Sequence, residues 1–184
     1  MIKCSVFIAT SLDGFIARQD GDISWLTNTD YSIESEDFGF AEFYASVDAI
    51  VMGRKTYETA LGFTEWPYVN KRVVVLSHAS ISIPSQLARN VEHMSGSPAE
   101  VVLRLEASCA CHVYIDGGYT IQGFMKAGLI DEMTITTIPI LLGSGIPLFG
   151  PLNQDIHLQV VCSQAYPNGF VQTKYKVLHS NLAD

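Results

Sequence analysis

The sequence predicts an α/β domain with a mostly parallel sheet, helices on both of its faces and an antiparallel hairpin at the C-terminus. Short apolar runs typical of buried strands, such as 72–77 and 112–116, alternate with segments that have helical patterns, which favours parallel strands joined by helices. The last two strands, at 156–166 and 170–178, are separated by Tyr166-Pro167-Asn168-Gly169, a sequence typical of a hairpin turn. The chain has 184 residues, so we expect 1–184 to form one domain.

The other elements are predicted from hydrophobic periodicity and turn residues. In chain order, they are a strand at 2–9, a long polar loop at 10–33, a helix at 35–47, a strand at 48–52, a short helix after Gly53, a helix from Ser97, a helix from Gly117 to about Gly128, and a strand at 132–138. The start at Ser97 is well defined, since Ser97 can cap the helix, Pro98 suits its first position and Glu100 can complete a capping box.

The composition excludes several classes of function. The formal net charge is −8, whereas binding to DNA or RNA needs a basic surface, so we expect no nucleic-acid partner. No apolar run approaches the roughly 18 residues of a membrane span, and the first residues lack the features of a signal peptide. We therefore expect a cytoplasmic protein that does not bind membranes.

The cysteines and histidines do not suggest a metal site. Cys109 and Cys111 are one residue apart, which is not the spacing of zinc or redox motifs. The histidines also lack the spacing of metal ligands, so we expect no metal. All four cysteines are expected to be buried free thiols, namely Cys4, Cys109, Cys111 and Cys162.

Two strand exits carry the main chemical signal, because ligands of parallel α/β sheets bind at the carboxyl ends of the strands. These exits are Gly53-Arg54-Lys55-Thr56 and Asp116-Gly117-Gly118. A glycine between strand and helix lets a ligand approach the backbone, and the free amides of the first helical turn favour an anion. Two such helix starts on neighbouring strands can hold a pyrophosphate. The alternative is that each glycine only permits tight packing between helix and strand.

These exits belong to a set of segments that resembles a known family. Val51–Glu58, Leu76-Ser77, Gly117-Gly118 and Asp131–Thr136 resemble, in this order, the signature of the dihydrofolate reductase superfamily. Ser11–Ala17, Gly21–Leu26 and Leu141–Phe149 are similar to stand-alone relatives of one branch, the C-terminal reductase domain of the bifunctional riboflavin-biosynthesis deaminase–reductase. The resemblance covers about residues 2–178 and implies a three-layer fold of the dihydrofolate reductase type.

The resemblance implies an NADPH site, with the phosphates at the two glycine turns, the nicotinamide near the first strand, and Arg54 or Lys55 near the 2′-phosphate. The residues it assigns to the cofactor are Ala9, Ile16, Ala17, Gly53, Arg54, Lys55, Thr56, Leu76, Ser77, His78, Gly117, Gly118, Tyr119, Thr120 and Ile121.

Asp37 is the catalytic candidate, because dihydrofolate reductases place a buried carboxylate at its distance before the Gly53 motif. Thr136 matches the strand threonine that supports this acid, and burial would raise the carboxyl pKa. Trp25, Asp37 and Phe40 are the candidate substrate contacts. The alternatives are that Asp37 only favours the dipole of a helix start and that Trp25 is ordinary packing.

These residues predict an NADPH-dependent reductase of a small pterin-like or ribosylaminopyrimidine-like heterocycle. True dihydrofolate reductase activity is one alternative, although the Pro-Trp-x-Leu-Pro-x-Asp run of those enzymes is missing. A non-catalytic NADPH-binding module is another. Relatives of the kind that the chain resembles commonly pair, so we expect a homodimer, with Leu141–Phe149 and the terminal hairpin as a candidate contact.

Overall fold

The structure is a computed structural model that describes residues 2–26, 33 and 36–179. It confirms the predicted class, because an eight-stranded, mostly parallel sheet ends in an antiparallel pair formed by the C-terminal strands. Within the described residues, no helix is long and apolar enough to cross a membrane.

The strands are named in chain order, but their order across the sheet differs. Across the sheet they lie as β5 (Val91–Met94), β4 (Arg72–Leu76), β3 (Ala49–Gly53), β6 (His112–Asp116), β1 (Lys3–Ser11), β7 (Glu132–Ile138), β10 (Val171–Leu178) and β9 (His157–Ala165). The helices are α1 (Phe40–Ser46), α2 (Arg54–Leu61), α3 (Pro98–Ala107) and α4 (Gly118–Lys126). Two short strands, β2 (Phe15–Ala17) and β8 (Ile146–Pro147), form a separate antiparallel ribbon.

The parallel strands are buried on both faces, as their continuous apolar sequences predict. In β3, Ala49 and Val51 contribute to a core that also holds residues of α3 and α4, whereas Ile50 and Met52 contribute to the opposite core with Tyr57 of α2. This alternation follows from the two-residue period of a strand. The sheet therefore has helices on both faces, and its strand ends are left for a ligand site.

Two predictions from short sequence motifs, the capping box of α3 and the turn of the C-terminal hairpin, are confirmed. At the start of α3, Ser97 and Glu100 form the predicted capping box with each other's backbone amides. At the hairpin, Tyr166 donates its N–H to the carbonyl oxygen of Phe170 at 2.8 Å, and Gly169 has a φ of 86°, as the turn requires.

Other predictions of the sequence are wrong. Helix α1 begins at Phe40 and not at 35, because Phe38 and Gly39 have φ values of 58° and 79°, which a right-handed helix does not accept. The loop predicted at 10–33 contains β2, and β5 was not predicted. Only one cysteine, Cys4, is buried, whereas Cys109, Cys111 and Cys162 are exposed. Cys162 is exposed because it lies in the edge strand β9.

Candidate functional site

A large cavity of about 1030 Å³ lies where β4, β3, β6 and β1 end. We divide it by the strands beside it. The β4–β3 end is lined by the segments 53–56 and 76–78. The β6–β1 end is lined by Ala9, Tyr68, Asp116 and five residues that follow β2, namely Gln19, Asp20, Gly21, Ile23 and Leu26. The turn at Gly117-Gly118 lies between them in the order of the sheet. The volume is at the upper limit of small-molecule sites, so a long cofactor and a small second ligand can share it.

The two helix starts at the cavity pack against each other through threonine and glycine. A Cβ added at Gly117 would lie 2.2 Å from Thr56 Oγ1, and a Cβ added at Gly53 would lie 3.1 Å from Thr120 Oγ1. Each helix thus places a threonine of its first turn against the glycine that precedes the other helix. Because Gly117 also has a φ of 86° and a ψ of 139°, no other residue suits this position.

Both helix starts leave their first amides available for a ligand. Among the described residues, no side chain caps α2 at Gly53 or α4 at Gly117. Helix α3 also begins beside the cavity, which Ser95, Gly96 and Pro98 line, but its start is capped by Ser97 and Glu100. Helix N-termini carry a partial positive charge and unpaired N–H groups. The two uncapped starts, at Gly53 and Gly117, therefore form a paired anion site made of backbone.

The cavity collects nearly all of the residues that the resemblance assigned to a cofactor. All of them line it except Ile121, whose side chain is fully buried in the core below α4. Tyr119 lines the cavity although its side chain is 72% exposed, so it lies at the rim. The contacts of these residues with a cofactor stay a prediction.

The basic groups of the cavity lie at the β4–β3 end. Arg54 and Lys55 occupy the first turn of α2, and the Arg54 guanidinium is 3.6 Å from the Glu58 carboxylate one turn later. His78 follows β4 and is exposed. Side-chain charge therefore adds to the positive potential of the helix start at this end.

Asp116 is the buried acid of the site. It ends β6 at the edge of the cavity, with 9% of its surface exposed. Its Oδ1 accepts the N–H of Gly117 at 2.8 Å and its Oδ2 accepts the hydroxyl of Tyr68 at 2.8 Å. Burial raises the pKa of the Asp116 carboxyl, and it outweighs these hydrogen bonds, which act in the opposite direction.

Tyr68 reaches Asp116 from the segment between α2 and β4. Its ring meets Trp66 edge-to-face at a centroid distance of 5.3 Å, and Trp66 Nε1 donates to the Tyr68 carbonyl oxygen at 3.2 Å. Trp66 also packs on Tyr57 of α2. The aromatic packing holds the Tyr68 hydroxyl against the carboxylate at the β6–β1 end.

The surroundings predicted for Asp37 are wrong. Asp37 is exposed and precedes α1, and its carboxylate accepts the backbone N–H groups of Ala41 at 2.8 Å and Gly39 at 2.9 Å. These bonds, first that of Ala41, lower the carboxyl pKa instead of raising it. Asp37 does not line the cavity within the described part of the chain. Its observed role is to cap a helix start, and its catalytic role stays a prediction.

The remaining candidates lie beside the cavity and not in its lining. Thr136 is buried and accepts a hydrogen bond from Gln172 Nε2, which also donates to the Phe38 carbonyl oxygen. Trp25 is 5% exposed and packs against Ile138 and Phe170. Phe40 packs against Phe7 with ring centroids 5.5 Å apart. None of these three lines the cavity as far as the described residues define it.

The ribbon of β2 and β8 covers Gly118 and links the loop 139–150 to the site. Asp13 fixes this loop, since its carboxylate accepts the N–H groups of Gly143 at 2.7 Å and Leu142 at 3.2 Å. A Cβ at Gly118 would meet Ile16 Cδ1 at 2.9 Å, so the ribbon packs directly on the turn at Gly117-Gly118. Ile146 of this loop also lines the cavity, so the loop contributes to the cavity's shape.

Sequence reasoning missed Asp116 and Tyr68 as site residues. Asp116 was visible as the residue between a buried strand and two glycines, and its position at a strand exit was the available signal. Tyr68 carried no signal, because 48 residues separate it from Asp116 and only the fold brings the two together.

Comparisons with known proteins agree with this architecture. The model of the RibD C-terminal domain family matches residues 3–172. The uncharacterized protein YwjB of Bacillus subtilis (strain 168) is 37% identical over 161 residues, which are 86% of this chain and 88% of that protein.

Solved structures give the same result. A crystal structure of a Shewanella sp. PV-4 protein named for riboflavin biosynthesis is 40% identical, with a TM-score of 0.90 over 97% of this chain and 100% of that one. The Thermotoga maritima diaminohydroxyphosphoribosylaminopyrimidine deaminase/5-amino-6-(5-phosphoribosylamino)uracil reductase shares the fold at 16% identity and a TM-score of 0.73, over 96% of this chain and 57% of that one. This chain therefore belongs to the family of RibD C-terminal (reductase) domains.

Proposed function

We propose that this protein is an NADPH-dependent reductase of a small heterocyclic substrate. The observation that carries the proposal is the pair of uncapped helix starts, at Gly53 and Gly117, that pack on each other at one cavity. Backbone amides of two helix N-termini suit the pyrophosphate of a dinucleotide. Membership of a reductase-domain family supports the same conclusion.

The β4–β3 end suits the adenosine and phosphate half of the cofactor. Arg54 and Lys55 lie where a 2′-phosphate can pair with them, and charged hydrogen bonds of this kind are stronger than neutral ones. Ser77 and His78 line the same end. This charge is the reason to propose NADPH and not NADH.

The β6–β1 end suits the nicotinamide and the substrate. When bound, the cofactor supplies a hydride to an acceptor carbon of a C=N or C=O bond, and the neighbouring heteroatom takes up one proton. Ala9, Ile16 and Leu26 give this end apolar walls, and Ala9 and Leu26 both pack against the cluster of Trp25, Ile138 and Phe170. Such walls exclude water from the place where the hydride is transferred.

Asp116 is the group that would hold the proton. Its raised pKa keeps the carboxyl protonated at a higher pH than in an exposed aspartate, and a general acid works best when its pKa approaches the working pH. Tyr68, at 2.8 Å, positions the carboxyl and can pass a proton to it. We therefore assign to Asp116 the role that the sequence suggested for Asp37.

Titration of NADPH and NADH, followed by protein fluorescence, tests the proposal. We expect tighter binding of NADPH, and we expect Arg54→Gln or Lys55→Gln to weaken NADPH about tenfold while leaving NADH unchanged, which corresponds to the loss of one charged hydrogen bond. Arg89→Gln is the matched control, since Arg89 is exposed and does not line the cavity. Equal affinities for both cofactors in all variants would contradict the assignment of the 2′-phosphate site.

A further inference from the structure

The cations of this chain can all be located, since the sequence has eleven lysine and arginine residues and each of them lies in the described segments. Only Arg54 and Lys55 line the cavity, both at the start of α2. Several of the others are engaged elsewhere: Lys3 and Lys174 contact Glu132, Arg72 contacts Glu92, and Lys71 donates to the Val47 carbonyl oxygen.

The β6–β1 end has the opposite character. Among the residues that the structure describes, the charged side chains that line it are Asp20 and Asp116, and its other lining residues are apolar or uncharged, as with Ile23 and Leu26. Arg18 precedes this segment, but its guanidinium lies 3.6 Å from the Asp22 carboxylate and does not line the cavity. The lysine and arginine of the lining are thus confined to the β4–β3 end, where Glu58 pairs with Arg54, and neither residue type lines the β6–β1 end.

This division leaves no cation for a phosphate on the substrate. If NADPH binds as proposed, its pyrophosphate and 2′-phosphate engage the two helix starts, Arg54 and Lys55. A third phosphate at the β6–β1 end would have no lysine or arginine of the lining to pair with. Desolvation of a phosphate without a cation is costly.

We propose that the substrate of this protein is a heterocycle without a phosphate group, bound at the β6–β1 end beside Asp116 and Tyr68. The inference rests on the proposed function and narrows its substrate class. It separates this chain from the Thermotoga maritima protein, whose name specifies a phosphoribosylamino substrate. The acidic end instead favours a neutral ring with N–H or amino groups that can donate to a carboxylate.

A matched pair of ligands tests this proposal on the intact protein. NADPH binding is measured first by fluorescence titration, and its absence would overturn the proposed function together with the inference. The protein saturated with NADP⁺ is then titrated by calorimetry with 5-amino-6-(ribosylamino)uracil, with and without its 5-phosphate. The quantity of interest is the gain in affinity that the phosphate confers.

We expect no gain, so that the phosphorylated compound binds equally, more weakly or not at all. Binding of the phosphorylated compound at least tenfold more tightly would overturn the inference and leave the proposed function intact. Repeating the titration with Arg18→Gln would then show whether Arg18 supplies the missing cation.

Discussion

The parallel half of the sheet and its antiparallel edge differ in how far their side chains are buried. On the parallel side, β3 and β4 bury both faces, and residues such as Val51 and Val74 are fully buried. On the antiparallel side, every residue of the edge strand β9 is exposed, including Leu158 and Val160. Parallel strands covered by helices direct function to their carboxyl ends, where the cavity lies. The uncovered edge instead offers a surface.

The largest effect should come from the parallel side, at the turn Gly117-Gly118. Gly117→Val should abolish NADPH binding, because the added Cβ meets Thr56 and the backbone conformation there is accessible to glycine alone. Gly128→Val is the control at the other end of α4, where φ is also positive, at 67°, and a Cβ meets nothing within 4 Å. The measurement is NADPH titration of variants whose folding circular dichroism has verified. Normal NADPH affinity in a folded Gly117→Val protein would show that this turn is not the phosphate site.

The next effect concerns Asp116, the acid at the β6–β1 end of the cavity. Asp116→Asn should lower turnover about 100-fold, the usual contribution of a general acid. NADPH affinity should change less than about threefold, since an amide oxygen can still accept the Gly117 N–H. Steady-state kinetics with NADPH and the substrate, beside the cofactor titration, checks both. Equal losses in turnover and in cofactor affinity would assign Asp116 a role in holding the turn instead of the proton.

Asp116→Asn should stabilise the folded protein near pH 7, although it should lower turnover. Because the folded-state pKa of Asp116 is raised, the folded protein holds a proton that the unfolded chain releases above about pH 4. Its contribution to stability therefore falls as the pH rises from that value through the raised pKa. We expect Asp116→Asn to melt at a higher temperature than the wild type near pH 7, and the two Tm values to converge as the pH falls towards 4. A lower Tm for the variant at pH 7 would contradict the raised pKa.

The exposed edge leads to a prediction about assembly. Strand β9, His157-Leu-Gln-Val-Val-Cys-Ser-Gln-Ala165, contains no lysine, arginine, aspartate or glutamate, whereas proteins usually protect a free edge with charge. On the face that Val177 also occupies, Leu158 and Val160 are exposed. We propose that two copies of the chain pair along this edge as a homodimer.

Val160→Lys should then weaken the dimer at least tenfold, which light scattering over a dilution series would measure. Val69→Lys is the matched control, because Val69 is 59% exposed and Val160 57%, and Val69 lies outside the edge strand. A wild-type protein that is monomeric at micromolar concentration would refute the proposal, and equal effects of the two lysines would remove β9 from the contact.

The smallest effect is expected at Asp37. Asp37→Ala removes the acceptor of the Ala41 and Gly39 N–H groups and should lower Tm slightly, whereas Asp37→Asn, which can still cap, should change it less. Since the pKa of Asp37 is lowered, its advantage over asparagine exists above the ordinary aspartate pKa and disappears as the pH falls through the lowered value. Turnover of Asp37→Asn should equal that of the wild type. A loss near 100-fold would return the acid role to Asp37.

The sequence correctly predicted the features that depend on residues close to one another in the chain. The capping box at Ser97, the turn at Tyr166–Gly169 and the glycines at the ends of β3 and β6 are local signals, and the structure contains all of them. The mostly parallel sheet followed from continuous apolar runs, which report burial on both faces.

The wrong predictions concern strand pairing and side-chain burial, which depend on residues far apart in the chain. The ribbon of β2 and β8 joins segments about 130 residues apart, and neither strand is long enough to have a periodic signal. Asp37 and Asp116 are both aspartates beside apolar segments, but one lies at an exposed helix start and the other ends a buried strand. Burial of a carboxylate is a long-range property, so the sequence could not select the acid of the site.

Hydrogen exchange with and without NADPH tests the central claim, that the cavity at the parallel strand ends is a cofactor site, most directly. Amides at the helix starts become protected when they bind a phosphate, and the method reports every segment at once. We predict that NADPH slows exchange at 53–57 and 117–121, with a smaller effect at 76–79 and none in β9. Absence of protection at both helix starts at saturating NADPH, or protection confined to other segments, would contradict the account.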